Sequence, residues 1–304
     1  MQQYVQLKAK DVCRKAITLE PNKTLGDARN TMLRYNLSRI VVAKGLKPVG
    51  IVTEKSIGGF LYRDTINRPL DEIRLDQVIS KDVRVIDQYS DVIVIRLDQV
   101  ISQDLITVSE ETDLKTCAQM MLDKQISSLL VIDDNGNLQG IFTKSDLVDV
   151  YYKHYEGKNL VQDYMTKKVF TVSRDHSIHT VIAIMIKNRV SRVVVVKGQK
   201  PIGIITGRDL LPVSTLIEAD IHGMPSEVLM SRRQSTTPLL SGITHVLLAR
   251  DVMKCDPITV TSDSDLADAA QIMINSKISG LPVVDSDNNL IGIVTKTDVV
   301  RALA

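Results

Sequence analysis

Three aspartates stand at one register. Asp146, Asp209 and Asp298 each lie three residues after a threonine, at Thr143, Thr206 and Thr295. Each threonine closes a phrase Gly-apolar-apolar-Thr, and a fourth copy, Gly50–Thr53, has Ser56 where the others have Asp. A carboxylate is a pure acceptor, suited to hydroxyl groups and cations. Any one of these aspartates, taken alone, reads as an exposed first-turn residue favoured by the helix dipole. Three at the same register argue for binding. Nothing argues for catalysis: the chain holds no HExxH, P-loop or GxSxG motif, and no GxGxxG after a strand. The five histidines form no cluster at metal-ligand spacing. Asp285-x-Asp287-x-Asn289 starts like a calcium loop, but position twelve is Lys296 instead of a bidentate acid, so it reads as a hairpin turn.

The elements that must position these residues repeat four times. Successive phrases are 90, 63 and 89 residues apart, so the copies come as two pairs. Each unit opens on a β-rich stretch: Ile17–Leu19, Ile106–Val108, Phe170–Val172 and Ile258–Val260. A helix follows, with apolar residues at i, i+3, i+4 and i+7, such as Ile178, Val181, Ile182 and Met185. The first unit breaks that stripe with Arg29. Thr24, Asp113, Ser177 and Asp265 suit the N-caps. Two apolar strands and a short helix carrying the Asp or Ser complete a β-α-β-β-α unit. Units one and three turn through Lys-Gly-x-Lys-Pro-x-Gly; units two and four use Asp/Asn-rich turns. The pattern is ABAB with a super-repeat of 152–153 residues. Units of this size bury too little surface alone and must pair.

Two linkers interrupt the pattern. Ile73–Ser80 (IRLDQVIS) recurs word for word as Ile95–Ser102, and Ser226–Ser231 is echoed by Ala249–Lys254. The phrase resembles the start of a unit that stops after its opening strand; an interdomain strand or arm is the plain reading. The expected boundaries are repeats at 1–62, 97–155, 156–216 and 249–304, with linkers at 63–96 and 217–248.

Composition narrows the class. Apolar content is 44% and net charge +2, so neither nucleic acid nor an acidic substrate is favoured. No uncharged apolar run reaches about 18 residues, so a membrane span is not expected. The N-terminus lacks the apolar centre of a signal peptide. Three unclustered cysteines (Cys13, Cys117, Cys255) fit a reduced, cytoplasmic protein.

Together the four in-register phrases and their units resemble the CBS domain, named for cystathionine β-synthase. The resemblance covers nearly the whole chain outside the linkers. It implies an α+β protein of four CBS repeats packed as two pseudo-twofold pairs, with no attached catalytic domain. In that family the phrase Gly-apolar-x-Thr/Ser-x-x-Asp binds an adenosine nucleotide in a cleft between paired repeats. The Asp takes the ribose hydroxyls, the helix start favours phosphate, and Gly admits a close backbone approach to the ligand. The partner repeat supplies its opening strand and a strand-entry residue.

By that resemblance, Thr143 and Asp146 face Thr18, Ser38 and Arg39, and Thr295 and Asp298 face Thr171, Ser191 and Arg192. Both clefts join a ribose carboxylate to an arginine able to grip phosphate. Thr206 and Asp209 face Thr259, Ser279 and Gly280, where strand entry brings no cation, though Arg208 or a lysine could. Thr53 has Ser56 and faces Ser127 and Ser128, so this cleft lacks both charges and is expected empty or weak. The implied function is a non-catalytic adenine-nucleotide (AMP, ADP or ATP) sensor, with or without magnesium, acting as a homodimer on an unidentified target protein. A scaffold with vestigial clefts is one alternative. A nucleic-acid binder using linker arms such as Ser231-Arg232-Arg233-Gln234 is the other.

Overall fold

The computed structural model describes residues 7–54, 57, 69–79, 101–102, 105–210 and 247–304. Ser56 and Arg232–Arg233 lie outside them, as do Ser80, residues 95–100 and Ser226–Ser231 of the duplicated linker phrases.

Each repeat builds one small sheet. Repeat 1 orders β1 (Thr18–Leu19), β2 (Arg39–Lys44), β3 (Lys47–Thr53) and β4 (Ile101–Ser102) side by side; repeat 2 orders β5 (Thr107–Ser109), β6 (Ser128–Ile132) and β7 (Leu138–Thr143). Repeat 3 contributes β8 (Thr171–Ser173), β9 (Arg192–Lys197) and β10 (Lys200–Thr206), with β11 (Lys254–Cys255) at its edge. Repeat 4 has β12 (Val260–Thr261), β13 (Gly280–Val284) and β14 (Leu290–Thr295). The opening strand pairs parallel to the second strand, as a crossover helix requires, and the hairpin that follows is antiparallel.

The crossover helices are α2 (Leu25–Tyr35), α4 (Leu114–Asp123), α7 (Ile178–Lys187) and α10 (Leu266–Asn275). All four expected N-caps form. Thr24, Asp113, Ser177 and Asp265 accept from the amides of Asp27 (3.0 Å), Thr116 (2.9 Å), Thr180 (3.2 Å) and Ala267 (2.8 Å). The apolar stripes are buried, and Arg29 is buried with them. The Asp-rich turn at Asp285 is a hairpin turn: its Oδ1 accepts from the amides of Asp287 (2.9 Å) and Asn289 (2.8 Å).

The short helices that open three of the repeats change the picture. Helix α1 (Ala9–Val12) opens repeat 1 but docks on repeat 2: the Ala9 amide donates to the Thr112 carbonyl (2.8 Å), and Arg14 exchanges backbone bonds with Ile141 (3.0 and 2.8 Å). Helix α6 (Val161–Tyr164) opens repeat 3 and docks on repeat 4, with Thr166 paired to Ile293. Helix α9 (Ala249–Val252) opens repeat 4 and docks on repeat 3, followed by β11 against β10. These swapped segments explain the linker phrases. In repeat 1, helix α3 (Leu75–Ile79), from the first copy of IRLDQVIS, docks through Leu75 on Lys23, while β4, from the second copy, supplies the edge strand. In repeat 3 both parts come from the second copy.

The swap also gives the phrase glycines a role within the fold. A Cβ at Gly140 would lie 2.7 Å from the Arg14 carbonyl oxygen. One at Gly203 would lie 2.6 Å from the Met253 sulfur, and one at Gly292 2.8 Å from the Met165 sulfur. At Gly140 the docked backbone itself leaves no room for a side chain, whereas at Gly203 and Gly292 a methionine side chain of the docked segment would have to shift.

Pairing follows from the turns and the cores. The Leu138 amide donates to Leu46 (2.8 Å), stitching repeats 1 and 2, and the Leu290 amide donates to Gln199 (2.8 Å), stitching repeats 3 and 4. Repeats 2 and 4 share one continuous apolar core that includes Met121, Leu147, Tyr151, Ala270, Met273 and Val299. Repeats 1 and 3 keep separate cores and are joined by a charged contact described below.

Candidate functional site

The final helices are α5 (Lys144–His154), α8 (Gly207–Leu210) and α11 (Lys296–Leu303), each starting directly after a phrase threonine. Asp146 and Asp298 are buried, at 4% and 1% exposure, not exposed first-turn residues. One oxygen of each aspartate is spent on the fold. Asp146 Oδ2 accepts from the Thr143 amide (2.8 Å) and hydroxyl (2.7 Å). Asp209 does the same for Thr206 (2.8 and 2.6 Å), and Asp298 for Thr295 (2.7 and 2.7 Å). This is a capping box, so Thr-x-x-Asp has a structural role whatever else it does.

The other oxygen faces a cation. Arg14 reaches Asp146 Oδ1 at 2.5 Å, Lys254 reaches Asp209 Oδ1 at 3.3 Å, and Arg301 reaches Asp298 Oδ1 at 2.8 Å. The three cationic side chains are 68, 61 and 52% exposed, while the carboxylates are 3, 7 and 2% exposed. Each cation thus approaches its buried carboxylate from the solvent side, and a group that displaced it would have to satisfy Oδ1 in its place. A cavity of ≈ 340 Å³ adjoins the Asp146–Arg14 pair, lined also by Val12, Asp149 and Lys153. Arg14, Lys254 and Arg301 were not among the residues read from the sequence. Arg14 and Lys254 had a visible signal: each follows the Cys or Met of the repeated docking phrase, on the strand that pairs beside the phrase.

The strand-entry serines lie against the helix starts of their own repeats. The carbonyls of Ser38, Ser191 and Ser279 accept from the amides of Glu54 (3.1 Å), Gly207 (3.2 Å) and Lys296 (3.2 Å). Ser38 Oγ accepts from Arg39 (3.2 Å) and Ser191 Oγ from Arg192 (3.3 Å). Arg39 is in electrostatic reach of Asp146, and Arg192 of Asp298. Burial brings both guanidinium groups down to about 10, so they remain charged at neutral pH. Arg192 also donates to the Ser279 carbonyl, filling space that a Cβ at Gly280 would occupy. Arg192 thus spans from repeat 3 to repeat 4. Thr18 and Thr171 are exposed on their opening strands and Thr259 is half-buried. Ile17 and Ile258, immediately before two of these threonines, are exposed apolar residues at 38 and 45%.

The helix starts of repeats 2 and 4 cross at the centre. Lys144 Nζ donates to Thr297 Oγ1 (2.9 Å), and Lys296 Nζ donates to Ser145 Oγ (2.9 Å), a reciprocal pair related by the pseudo-twofold axis. Both ammonium groups bond to hydroxyls, not to carboxylates. Burial, then neighbouring cations (Arg39 for Lys144, Arg192 for Lys296), pull both lysines down to about 8. Burial also raises Asp298, against the opposing pull of its threonine bonds and of Arg301 and Arg192. The arrangement is a half-buried cationic centre flanked by carboxylates with one oxygen turned outward. Among the described residues no cluster of His, Cys, Asp and Glu could hold a metal ion. No helix among them is long and apolar enough to cross a membrane.

Comparison with known proteins agrees with this architecture. The chain is 25% identical over 296 residues to protein MJ1225 of Methanocaldococcus jannaschii, covering 96% of each. The crystal structure of MJ1225 matches with a TM-score of 0.75 at 22% identity, over 98% of this chain and 100% of that one. A conserved protein of Pyrococcus horikoshii matches over the same shares with a TM-score of 0.60 at 18% identity. The chloroplastic CBSX2 of Arabidopsis thaliana is 27% identical over 152 residues, 48% of this chain and 64% of that protein. The CBS-domain model itself matches residues 9–61, 97–153, 161–214 and 249–304. With four matches spanning most of its length, each on one of the four sheets, the chain belongs to the CBS-domain family.

Proposed function

We propose that the protein is a non-catalytic regulatory module that binds adenine nucleotides in two equivalent clefts, one at Asp146 with Arg39 and one at Asp298 with Arg192. The observation that carries this is the crossed Lys144 and Lys296 pair, two ammonium groups bonded to hydroxyls and lowered in titration by burial first and then by the neighbouring arginines. A phosphate placed between these lysines and the nearby arginine relieves the repulsion among them with charge-assisted bonds. The same ligand's ribose hydroxyls suit Asp146 Oδ1 or Asp298 Oδ1, displacing Arg14 or Arg301. Its base would cover exposed apolar surface such as Ile17 at the mouth of the Asp146 cleft. Protein MJ1225 has been put forward as an archaeal homologue of g-AMPK, and CBSX2 has been crystallised with AMP; an adenine nucleotide on this chain is in keeping with both.

Regulation follows if the ligand binds two arrangements of the repeats with different affinity. Ligands bridging repeats 2 and 4 would fix the geometry of their shared helices for an unidentified protein to read. Isothermal titration of the full chain with AMP, ADP and ATP tests the proposal. Two sites are expected, with Asp146→Ala and Asp298→Ala each removing one. Absence of heat with all three nucleotides, together with absence of a thermal shift, overturns it.

A further inference from the structure

The residue that follows the phrase threonine begins the final helix in every repeat: Glu54, Lys144, Gly207 and Lys296. In repeats 2 and 4 this residue reaches across to the second helical residue of the opposing repeat, Lys144 to Thr297 and Lys296 to Ser145. Repeats 1 and 3 use the same geometry with opposite charge. Arg208, the second residue of its helix, donates from Nε to Glu54 Oε1 at 2.6 Å and from its terminal nitrogen to Asn36 Oδ1. Glu54 and Arg208 are 14 and 30% exposed. The carboxylate also lies in electrostatic reach of Arg39 and Asp209. One half of the centre therefore holds ammonium groups bonded to hydroxyls, and the other holds a carboxylate bonded to a guanidinium.

We propose that Glu54 is a resident anion, standing where a phosphate would bind and limiting the chain to the Asp146 and Asp298 clefts. The inference rests on the nucleotide reading above and adds its stoichiometry. The cleft of Thr206 and Asp209 has its capping-box carboxylate in place and Lys254 on Oδ1, like its counterparts. Two things distinguish it: its partner repeat brings Gly280 at strand entry instead of an arginine, and the adjacent Arg208, the remaining cation for a phosphate there, is committed to Glu54. A second carboxylate facing that position repels an incoming phosphate as well. Removing the charge of Glu54 leaves Arg208 half-buried and in need of an anion.

The test compares the full-length chain with Glu54→Gln and with the double variant Glu54→Gln, Arg208→Gln, titrating each with AMP and with inorganic tripolyphosphate. Glu54→Gln is expected to take up one more AMP per chain and to bind tripolyphosphate about tenfold more tightly or better, the worth of one charge-assisted bond. The double variant is expected to lose both gains. Unchanged AMP stoichiometry and tripolyphosphate affinity in Glu54→Gln overturn the inference while leaving the nucleotide reading intact. A gain in tripolyphosphate binding without AMP binding to any variant supports the resident anion and removes the nucleotide reading. If Glu54→Gln unfolds alone and is restored by tripolyphosphate, the inference is supported; if it stays unfolded with the anion present, Glu54 is a packing element and the inference falls.

Discussion

If Lys144 and Lys296 are the phosphate site, nucleotide binding must take up protons. Each lysine titrates near about 8 in the free protein against an ordinary 10.5, a difference worth about 3 kcal/mol per group. At pH 8 each is about half protonated, and a bound phosphate that restores the ordinary value fills both, so uptake approaches about one proton per chain. At pH 7 the lysines are already about nine-tenths protonated and uptake falls to about 0.2. The nucleotide's own phosphate, with a second pKa of about 6, contributes little at pH 8. The sign for stability runs the same way. Between about 8 and 10.5 the unfolded lysines hold protons that the folded ones have released, so the free protein gains stability from these groups as pH rises through that window and carries their full cost below it. Arg39 and Arg192 stay charged throughout neutral pH and do not confuse the measurement. Calorimetric titration with AMP in buffers of different ionisation enthalpy, at pH 7 and pH 8, reads the uptake directly. Heats at pH 8 that do not depend on the buffer would refute the reasoning, as would an uptake that survives in a Lys144→Met, Lys296→Met chain.

Other expectations concern single residues and the duplicated linker. Asp298→Ala should weaken AMP binding at its cleft about 10- to 100-fold, through loss of charged hydrogen bonds, and cost about 1 kcal/mol of stability from the capping box; calorimetry and thermal melts separate the two effects. Gly140→Ala should destabilise by about 1–3 kcal/mol because the added methyl meets the Arg14 carbonyl, and Gly203→Ala by less, because the Met253 side chain it meets can move. Gly207→Ala, with nothing within 4 Å, should be neutral or slightly stabilising; equal melting changes at all three positions would contradict the packing argument. Deleting residues 80–101 joins the first copy of IRLDQVIS to Ser102 at the spacing seen from Ala9 to Arg14, and should change stability by less than about 1 kcal/mol. A deleted chain that fails to fold would show that the second copy does more than restate the edge strand.

What could be read from the sequence was local. The N-caps, the helical stripes and the Thr-x-x-Asp registers are set within a few residues, and all appear in the structure. The family's phrase was legible because it recurs four times. The pairing of Arg14 with Asp146 and of Lys254 with Asp209 was not, since each forms only after a segment crosses from one repeat to its partner, whereas Arg301, three residues after Asp298 on one helix, was legible and missed. The same crossing hid the contacts of the glycines with Arg14, Met253 and Met165. Glu54 and Arg208 are more than 150 positions apart, and no periodicity links an acid in one helix start to a base in another. Pseudo-symmetry holds the backbone equivalent while the side chains at equivalent places diverge, and that divergence becomes visible only when the helix starts are brought together.

The docked segments also bear on how the chain acquires its structure. The segment from Ala9 to Arg14 is made before repeat 2, yet its hydrogen-bond partners there are Thr112, Glu110 and Ile141. During synthesis this segment has no native surface until repeat 2 has emerged, and α6 waits in the same way for Ser264 and Ile293. Contacts of such sequence separation slow folding because loop closure precedes the energy that rewards it. Neither repeat of a pair is complete until its partner exists, so each pair should cross its folding barrier as one cooperative unit, with the N-terminal segment among the last pieces to lock.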